Sequence, residues 1–167
     1  MKRNVVRTIC FAALMLSIAA VALAEDPGIC SYSGVAGEWG YSDAGTLIPP
    51  TGPVPFAIIG RYTLDAEGNF SGTQTSSRGG IISEEILRGA ATVNPDCTGT
   101  LTVGIYDQSG ILLRSAVWAM VYVDSAREVR GILTSLRFEP NGPIVPAVLT
   151  DNAKRLFPES RHQQDEQ

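Results

Sequence analysis

Residues 56–70 read FAIIGRYTLDAEGNF, and this stretch decides the fold. Its first nine residues place Phe56 and Tyr62 on one face and Arg61 on the other, which predicts a half-buried β-strand. The five residues that follow, DAEGN, combine an Asp at the start with a late Gly, as in a type I turn closed by a left-handed residue. The sequence therefore predicts a β-hairpin here.

The same pattern continues as far as Phe138, with runs rich in Val, Ile, Leu, Thr and Tyr separated by turns that contain Gly, Asp or Asn. Tight turns between long strands specify an up-and-down sheet, and closure into a barrel removes its exposed edges. We therefore predict an all-β protein, an antiparallel up-and-down barrel of about eight strands of the calycin type, with a β-sandwich as the alternative. The predicted strands outside the hairpin are residues 35–41, 82–93, 100–106, 111–123 and 128–138, with 144–149 as a short eighth strand or a covering segment.

The first residues of the chain have the composition of a secretory signal. Three basic residues precede an apolar run that ends in Ala-Leu-Ala, and this order is typical of a cleavable signal peptide. We therefore predict a signal peptide over residues 1–24, a secreted or periplasmic protein, and no membrane span after cleavage. The remainder is predicted to be a single β-barrel domain over residues 25–157 and a polar, disordered tail over residues 158–167.

The mature chain is acidic. The full sequence has 13 basic and 17 acidic residues, and three of the basic ones lie in the predicted signal peptide, which leaves 10 against 17 and a formal net charge of −7. Nucleic acids and anionic membrane surfaces are bound by clusters of Lys and Arg. We therefore expect neither of them as a partner.

Removal of the signal peptide takes Cys10 with it and leaves Cys30 and Cys97. An even pair of cysteines in an exported chain predicts a disulfide rather than a metal site or a nucleophile. Cys97 lies in a predicted turn, so the bridge would tie the N-terminal segment to the middle of the sheet. Closing a loop of this length contributes roughly 4 kcal/mol by the chain-entropy estimate.

The sequence lacks the residues of the common catalytic and metal sites. Its one histidine, His162, lies in the predicted tail, so a Ser-His-Asp triad, a Cys-His pair and a histidine zinc site all lack their central member. It has no glycine-rich phosphate loop between a strand and a helix. We therefore assign no catalytic residue, no metal and no cofactor.

Two adjacent carboxylates, Glu84 and Glu85, fall in a predicted strand and would point to opposite faces of the sheet. Glu85 could share the inner face with Leu87, where its carboxyl group would need a partner such as an inward Arg130. The alternative is that both glutamates lie at a solvated rim.

A barrel in which small residues such as Gly60 face inward leaves room for one small ligand. The predicted ligand-binding residues are Trp39, Phe56, Tyr62, Glu85 and Arg88. The predicted function is the binding of a small apolar molecule. The first alternative is a cofactor-free cyclase or isomerase that acts inside the cavity with one polar contact from these side chains.

The strand from Ile111 to Val123 is apolar on both faces. If Leu113 and Val117 face the core, Trp118 and its neighbours on the other face must be covered by another segment or by another subunit. A homodimer through this strand is therefore one expected partner arrangement. The second alternative function is accordingly a structural or interaction module.

Gly37-Glu38-Trp39 on the first predicted strand, followed by a meander, resembles the Gly-x-Trp start of lipocalins and related calycin barrels. In that family the Trp closes one end of the barrel and a late-strand Arg packs across it. The resemblance gives this role to Arg137.

Residues 91–100, ATVNPDCTGT, and the hairpin from Gly60 to Phe70 resemble small secreted bacterial β-barrel proteins of unknown function. This resemblance implies the barrel and no particular activity. The predicted architecture is also similar to that of allene-oxide-cyclase-like barrels, which fold a reactive polyene in an apolar cavity. That resemblance implies no catalytic residue in this chain.

Overall fold

The computed structural model describes residues 28–138 and 142–157. Eight antiparallel strands follow one another around a closed barrel, and the last strand pairs with the first. The predicted up-and-down barrel is therefore confirmed, and the β-sandwich alternative is wrong. The elements are α1 Tyr32–Val35, β1 Gly37–Leu47, β2 Val54–Leu64, β3 Asn69–Arg78, β4 Ile81–Val93, β5 Thr98–Tyr106, β6 Leu112–Val123, β7 Glu128–Phe138 and β8 Ala147–Arg155.

The predicted signal peptide, residues 1–24, and the predicted tail, residues 158–167, lie outside the described residues. All eight strands of the barrel fall within the predicted domain of residues 25–157. In the described part of the chain, helices long and apolar enough to cross a membrane are absent.

Aspartate side chains hold three of the hairpin turns. Asp65 Oδ1 accepts hydrogen bonds from the backbone N–H groups of Glu67 (3.0 Å) and Asn69 (2.7 Å). Asp96 and Asp107 each accept a similar bond from the residue two positions later. Because such bonds replace backbone pairing within a turn, they explain why these short connections reverse the chain where the sequence predicts.

The chain enters the barrel through α1, which ends at Val35, so the first strand begins at Gly37 and not at residue 35 as the sequence predicts. Ser31 caps this helix, since its side chain accepts a hydrogen bond from Gly34 N (3.0 Å). β1 begins after α1 and runs well past the predicted end, so its inward alternation reaches Asp43. The corrected strand therefore carries a carboxyl group into the barrel.

One end of the barrel, which we call the closed end, is covered by α1. The predicted disulfide between Cys30 and Cys97 is formed, with a Cα–Cα distance of 5.0 Å, and it fastens this segment to the β4–β5 turn. Trp39 is fully buried beneath α1, and its indole N–H donates a hydrogen bond to the Val35 carbonyl (3.1 Å). The disulfide, the helix and the indole together seal this end.

A basic side chain packs over Trp39, and it is Arg155 rather than Arg137. The Arg155 guanidinium lies 5.3 Å from the Trp39 ring centroid and donates to two carbonyl groups of the α1 segment. β7 runs away from the closed end, so Arg137 near its last residue lies at the far end of the barrel. The role that the lipocalin resemblance gives to Arg137 is therefore wrong.

The opposite end, which we call the open end, is bordered by the loop of residues 48–53 and the segment of residues 142–146. The turn between β3 and β4 also lies at this end, and β4 begins there as a strand at Ile81. The stretch of β4 around Glu85 contains helix-forming residues, but it is strand throughout.

β6 directs Trp118 and Tyr122 into the barrel. The orientation considered in the sequence analysis, with Leu113 and Val117 facing the core, is therefore not the one found. The alternation of the strand also brings Arg114 inside, where it forms an ion pair across the barrel. The buried ion pair and the large aromatic side chains therefore share one face of β6.

Candidate functional site

A cavity of about 50 Å³ lies in the middle of the barrel. Its wall is mostly apolar and is rich in aromatic rings; the ring centroids of Tyr62 and Phe70, for example, are 4.5 Å apart. The side chains that line it include Phe56, Ile58, Tyr62, Phe70, Val103 and Trp118. Such a wall favours apolar ligands and the attraction of cations to aromatic faces.

The cavity is small because aromatic rings fill the space beside inward glycines. Gly60 pairs directly with Tyr41, and a Cβ at Gly60 would come within 2.6 Å of the Tyr41 ring. Gly72 pairs with Tyr62 across β2 and β3, and a Cβ at Gly72 would come within 2.8 Å of the Tyr62 Cα atom. The space that the sequence assigned to a ligand at Gly60 is therefore taken by Tyr41.

A chain of hydrogen bonds crosses the barrel from β1 to β6. The Tyr41 hydroxyl donates to Gln74 Oε1 (2.5 Å), and Gln74 Nε2 donates to Glu85 Oε2 (2.6 Å). Arg114 completes the chain with two bonds to the Glu85 carboxylate (2.8 and 2.6 Å). Burial raises the pKa of Tyr41 above its ordinary value, so its hydroxyl keeps the proton that it donates.

The ion pair of Glu85 and Arg114 is buried, with side-chain exposures of 2% and 9%. A buried pair of this kind is tolerated when the remaining polar atoms are also hydrogen-bonded, as they are here. Arg114 takes the role predicted for Arg130, which instead lies on the outer face and contacts Glu128. The alternative that both glutamates lie in solvent is right for Glu84, which is exposed, and wrong for Glu85, which is buried.

A second pair of carboxyl groups, Asp43 on β1 and Asp151 on β8, faces the same cavity. The two residues are direct register partners, and their side chains hydrogen-bond each other. Gly131, opposite Asp151 on β7, leaves space for this side chain, since a Cβ there would lie 3.1 Å from Asp151 Cβ. The Oδ1 atom of each carboxyl group is buried, and no donor group of any other described residue reaches it.

This pair shares one proton. Burial raises the pKa of Asp43 to about 10, and the negative charge of Asp151 and the hydrogen bond to it act in the same direction. Burial also raises the pKa of Asp151, to about 6, while the hydrogen bond from Asp43 lowers it. At neutral pH the two carboxyl groups therefore hold one proton and one negative charge between them. Groups of three or more metal-ligating side chains do not occur within residues 28–138 and 142–157.

A hollow of about 200 Å³ lies at the open end, and we call it the open-end hollow. Arg78 stands at its rim with the guanidinium 5.6 Å from the Phe138 ring centroid. Three side chains line both this hollow and the central cavity: Phe56, Arg114 and Leu136. They form the layer between the two spaces, and the Arg114 guanidinium lies 5.5 Å from the Phe56 ring centroid.

The structure separates the five predicted ligand-binding residues. Phe56 and Tyr62 line the central cavity, and Glu85 lines the open-end hollow. Trp39 lies apart from both spaces, beneath α1 at the closed end. Arg88 is exposed on the outer face of β4, with its guanidinium 5.4 Å from a tyrosine ring of β5, so it does not reach the cavity.

The polar residues that do face the interior were mostly missed from sequence. They are Tyr41, Asp43, Gln74, Arg114 and Asp151. The alternation of Trp39 and Tyr41, continued by one more step along β1, would have found Asp43. Asp151 lies beyond the predicted end of the last strand, at residue 149, so its inward position had no local signal.

No known family matches this chain, and no curated protein matches it. One solved structure that is similar to it is the crystal structure of Rv2717c from M. tuberculosis, with 15% sequence identity and a TM-score of 0.37. The alignment covers 72% of this chain and 92% of that chain.

Proposed function

We propose that this barrel is an exported protein that binds a small, largely apolar molecule in its interior. The observation that carries the proposal is the mostly apolar central cavity, which shares its Phe56–Arg114–Leu136 layer with the open-end hollow. α1, Trp39 and the disulfide seal the closed end, so a ligand would enter at the open end.

The size of the two spaces limits the ligand. A cavity of about 50 Å³ has room for only a few water-sized groups, since one such group needs about 10–15 Å³. The open-end hollow is about four times larger at 200 Å³. A ligand that occupies both spaces would therefore be a short apolar chain, and the Phe56–Arg114–Leu136 layer would have to part around it.

The two tryptophans of the chain allow a direct test. Trp118 lines the cavity, whereas Trp39 is sealed at the closed end. In the mature Trp39→Phe variant, a series of short alkanols should change the Trp118 fluorescence with saturation. The matched Trp118→Phe variant should show a smaller change, because its remaining indole does not line the cavity and is separated from it by the Tyr62 ring.

Absence of a saturable change in the Trp118 signal would count against the proposal. Native mass spectrometry of the protein purified from its own host supplies an independent measurement, since a resident ligand would appear as a defined added mass. Repeated recovery of protein without added mass, together with a flat Trp118 titration, would overturn the proposal.

Export rests on the predicted signal peptide and on the Cys30–Cys97 disulfide, which is compatible with an oxidising compartment. Mature protein recovered from the medium or the periplasm should begin at residue 25, as N-terminal sequencing would show. Full-length protein held in the cytoplasm would contradict this.

A cofactor-free isomerase or cyclase is the second candidate, and the Asp43–Asp151 pair favours it. One carboxyl group keeps its proton at neutral pH while its neighbour is ionised, which is the arrangement of a general acid beside a general base. Incubation of the protein with host lipid extract in D₂O should then place deuterium on carbon in one component. The Asp43→Asn/Asp151→Asn variant should abolish that exchange.

A further inference from the structure

We propose that the Asp43–Asp151 pair binds the protonated primary amine of a ligand whose short apolar chain extends toward the open end. This inference deepens the proposed function and rests on it, because it names the chemical class of the molecule that the cavity takes. Three observations support it: two acceptor atoms without donors, a negative charge without a counter-ion, and the aromatic wall around both.

The first observation is the hydrogen bonding of the pair. Both Oδ1 atoms are buried, and no donor group of another described residue reaches them, so the hydrogen bond between the two carboxyl groups is internal to the pair. Buried polar atoms are nearly always hydrogen-bonded in folded proteins. Because one proton cannot satisfy all the oxygens of two carboxyl groups, a ligand that completes this site brings N–H or O–H donors.

The second observation is the charge inside the barrel. Arg114 is the only basic side chain that is buried in the part of the chain that the structure describes, and both of its terminal nitrogens bind Glu85. Arg155, near the same wall, is held at the closed end by two carbonyl groups. The Asp43–Asp151 pair therefore keeps one negative charge that no protein cation offsets, which favours a positively charged donor over a neutral one.

The third observation is the wall of the cavity. The rings of Tyr41, Tyr62, Phe70 and Trp118 line the same space as the two carboxyl groups. Aromatic faces attract cations, most strongly where water is excluded. A neutral apolar ligand would use the wall alone, whereas an alkylammonium ion would use the wall and the carboxylate together.

The geometry also selects the kind of amine. A primary ammonium group has three N–H donors on one nitrogen, which suits two neighbouring carboxyl groups that line a space of about 50 Å³. A quaternary ammonium ion has no N–H and would leave the carboxyl oxygens without a donor. The apolar chain would then follow the layer of Phe56 and Leu136 into the open-end hollow.

The test compares n-butylammonium with 1-butanol and tetramethylammonium by NMR titration of the mature protein. We expect n-butylammonium to bind at least about tenfold more tightly than either, since a charge-assisted hydrogen bond is about twice as strong as a neutral one. In the Asp43→Asn/Asp151→Asn variant this advantage should disappear, while 1-butanol binds as before. Glu84→Gln, which removes an exposed carboxyl group, is the matched control and should keep the advantage.

The outcomes separate this inference from the proposed function. Equal or tighter binding of 1-butanol to the unmodified protein would overturn the amine site and leave the apolar-ligand proposal standing. Binding of none of the probes would overturn both. Should the double variant fail to fold, the comparison of the probes on the unmodified protein decides the matter by itself.

Discussion

Two carboxylate sites lie inside one small barrel, and they differ in how their oxygens are satisfied. The Glu85 carboxylate receives both terminal nitrogens of Arg114 and the amide of Gln74. The Asp43–Asp151 pair has only its internal hydrogen bond and receives no donor from any other described residue. Because an unsatisfied buried polar atom costs about 1–3 kcal/mol, the second site lowers the stability of the barrel, whereas the first would do so only if Glu85 or Arg114 lost its partner.

The cost of the Asp43–Asp151 pair should depend on pH. Unfolded Asp43 loses its proton near its ordinary pKa of 3.8, whereas in the folded barrel its pKa is about 10. The folded state therefore binds more protons than the unfolded state between these values, and the free energy of unfolding falls as the pH rises through this window. Asp151, with a pKa of about 6, adds to the fall at the acidic end.

We therefore predict that Asp43→Asn stabilises the protein, and by more at pH 8 than at pH 5. The amide can still donate to Asp151 but cannot ionise, so the gain should grow by about 1 kcal/mol or more per pH unit between pH 5 and pH 8. Urea unfolding followed by tryptophan fluorescence at the two pH values measures it. Glu84→Gln controls for the loss of one carboxyl group at an exposed position, and a gain that does not grow with pH would show that Asp43 is ionised in the folded state.

At the scale of single elements, the strands show what sequence pattern alone can predict. The hairpin of β2 and β3 follows from alternation and from the Asp65 turn, and its strands pair from Leu64 and Phe70 outward. The predicted first strand ends at residue 41, because the carboxyl group of Asp43 interrupts the apolar inner face. In the structure, β1 continues to Leu47. The local pattern around Asp43 cannot show that Asp151, on the last strand, shares its proton. The candidate site could therefore not be predicted from the sequence.

β6 illustrates a second reason. Both of its faces are apolar, so alternation alone leaves its orientation undecided. Arg114 settles the question, because its charge is satisfied only by Glu85 on the inner face of β4. A partner on another strand, 29 residues away in sequence, therefore decides which side chains of β6 form the core.

The disulfide gives a prediction for the N-terminal element. It closes a loop across a sequence separation of 67 residues, and the chain-entropy estimate for such a loop is about 4 kcal/mol. The Cys30→Ser/Cys97→Ser variant should lose about 2–4 kcal/mol of unfolding free energy in urea.

The same variant should also release α1 from the closed end, because the bridge is its covalent tie to the β4–β5 turn. Faster amide hydrogen exchange in residues 31–39 and unchanged exchange in β2 and β3 are the expected signature. Uniform acceleration throughout the barrel would instead mean that the bridge stabilises all strands equally.

At the scale of the whole molecule, the barrel has one sealed end and one end with a hollow. The N-terminal segment, Trp39 and Arg155 occupy the sealed end with directed hydrogen bonds. The open end has Arg78 and Phe138 at its rim. Because only one end is open, any ligand would enter there. On this path it would meet the layer of Phe56 and Arg114 before it reached the Asp43–Asp151 pair.

The outer surface gives the last prediction, which concerns self-association. With Trp118 turned inward, the outer face of β6 carries Val121 (38% exposed), and neighbouring strands add Ile132 (51%) and Val148 (60%). Val121 pairs with Arg130, whereas Ile132 pairs with Ala119 and Thr150, so the three apolar side chains lie along a diagonal strip across β6, β7 and β8 with polar side chains beside it. We predict a homodimer through this strip, because a second copy would cover it with the same apolar side chains.

Sedimentation velocity should show a dimer for the unmodified protein and a monomer for the Val121→Lys variant. The control is Ile59→Lys, which changes an exposed isoleucine of β2 and should stay dimeric. A monomer at every concentration would mean that water covers the strip.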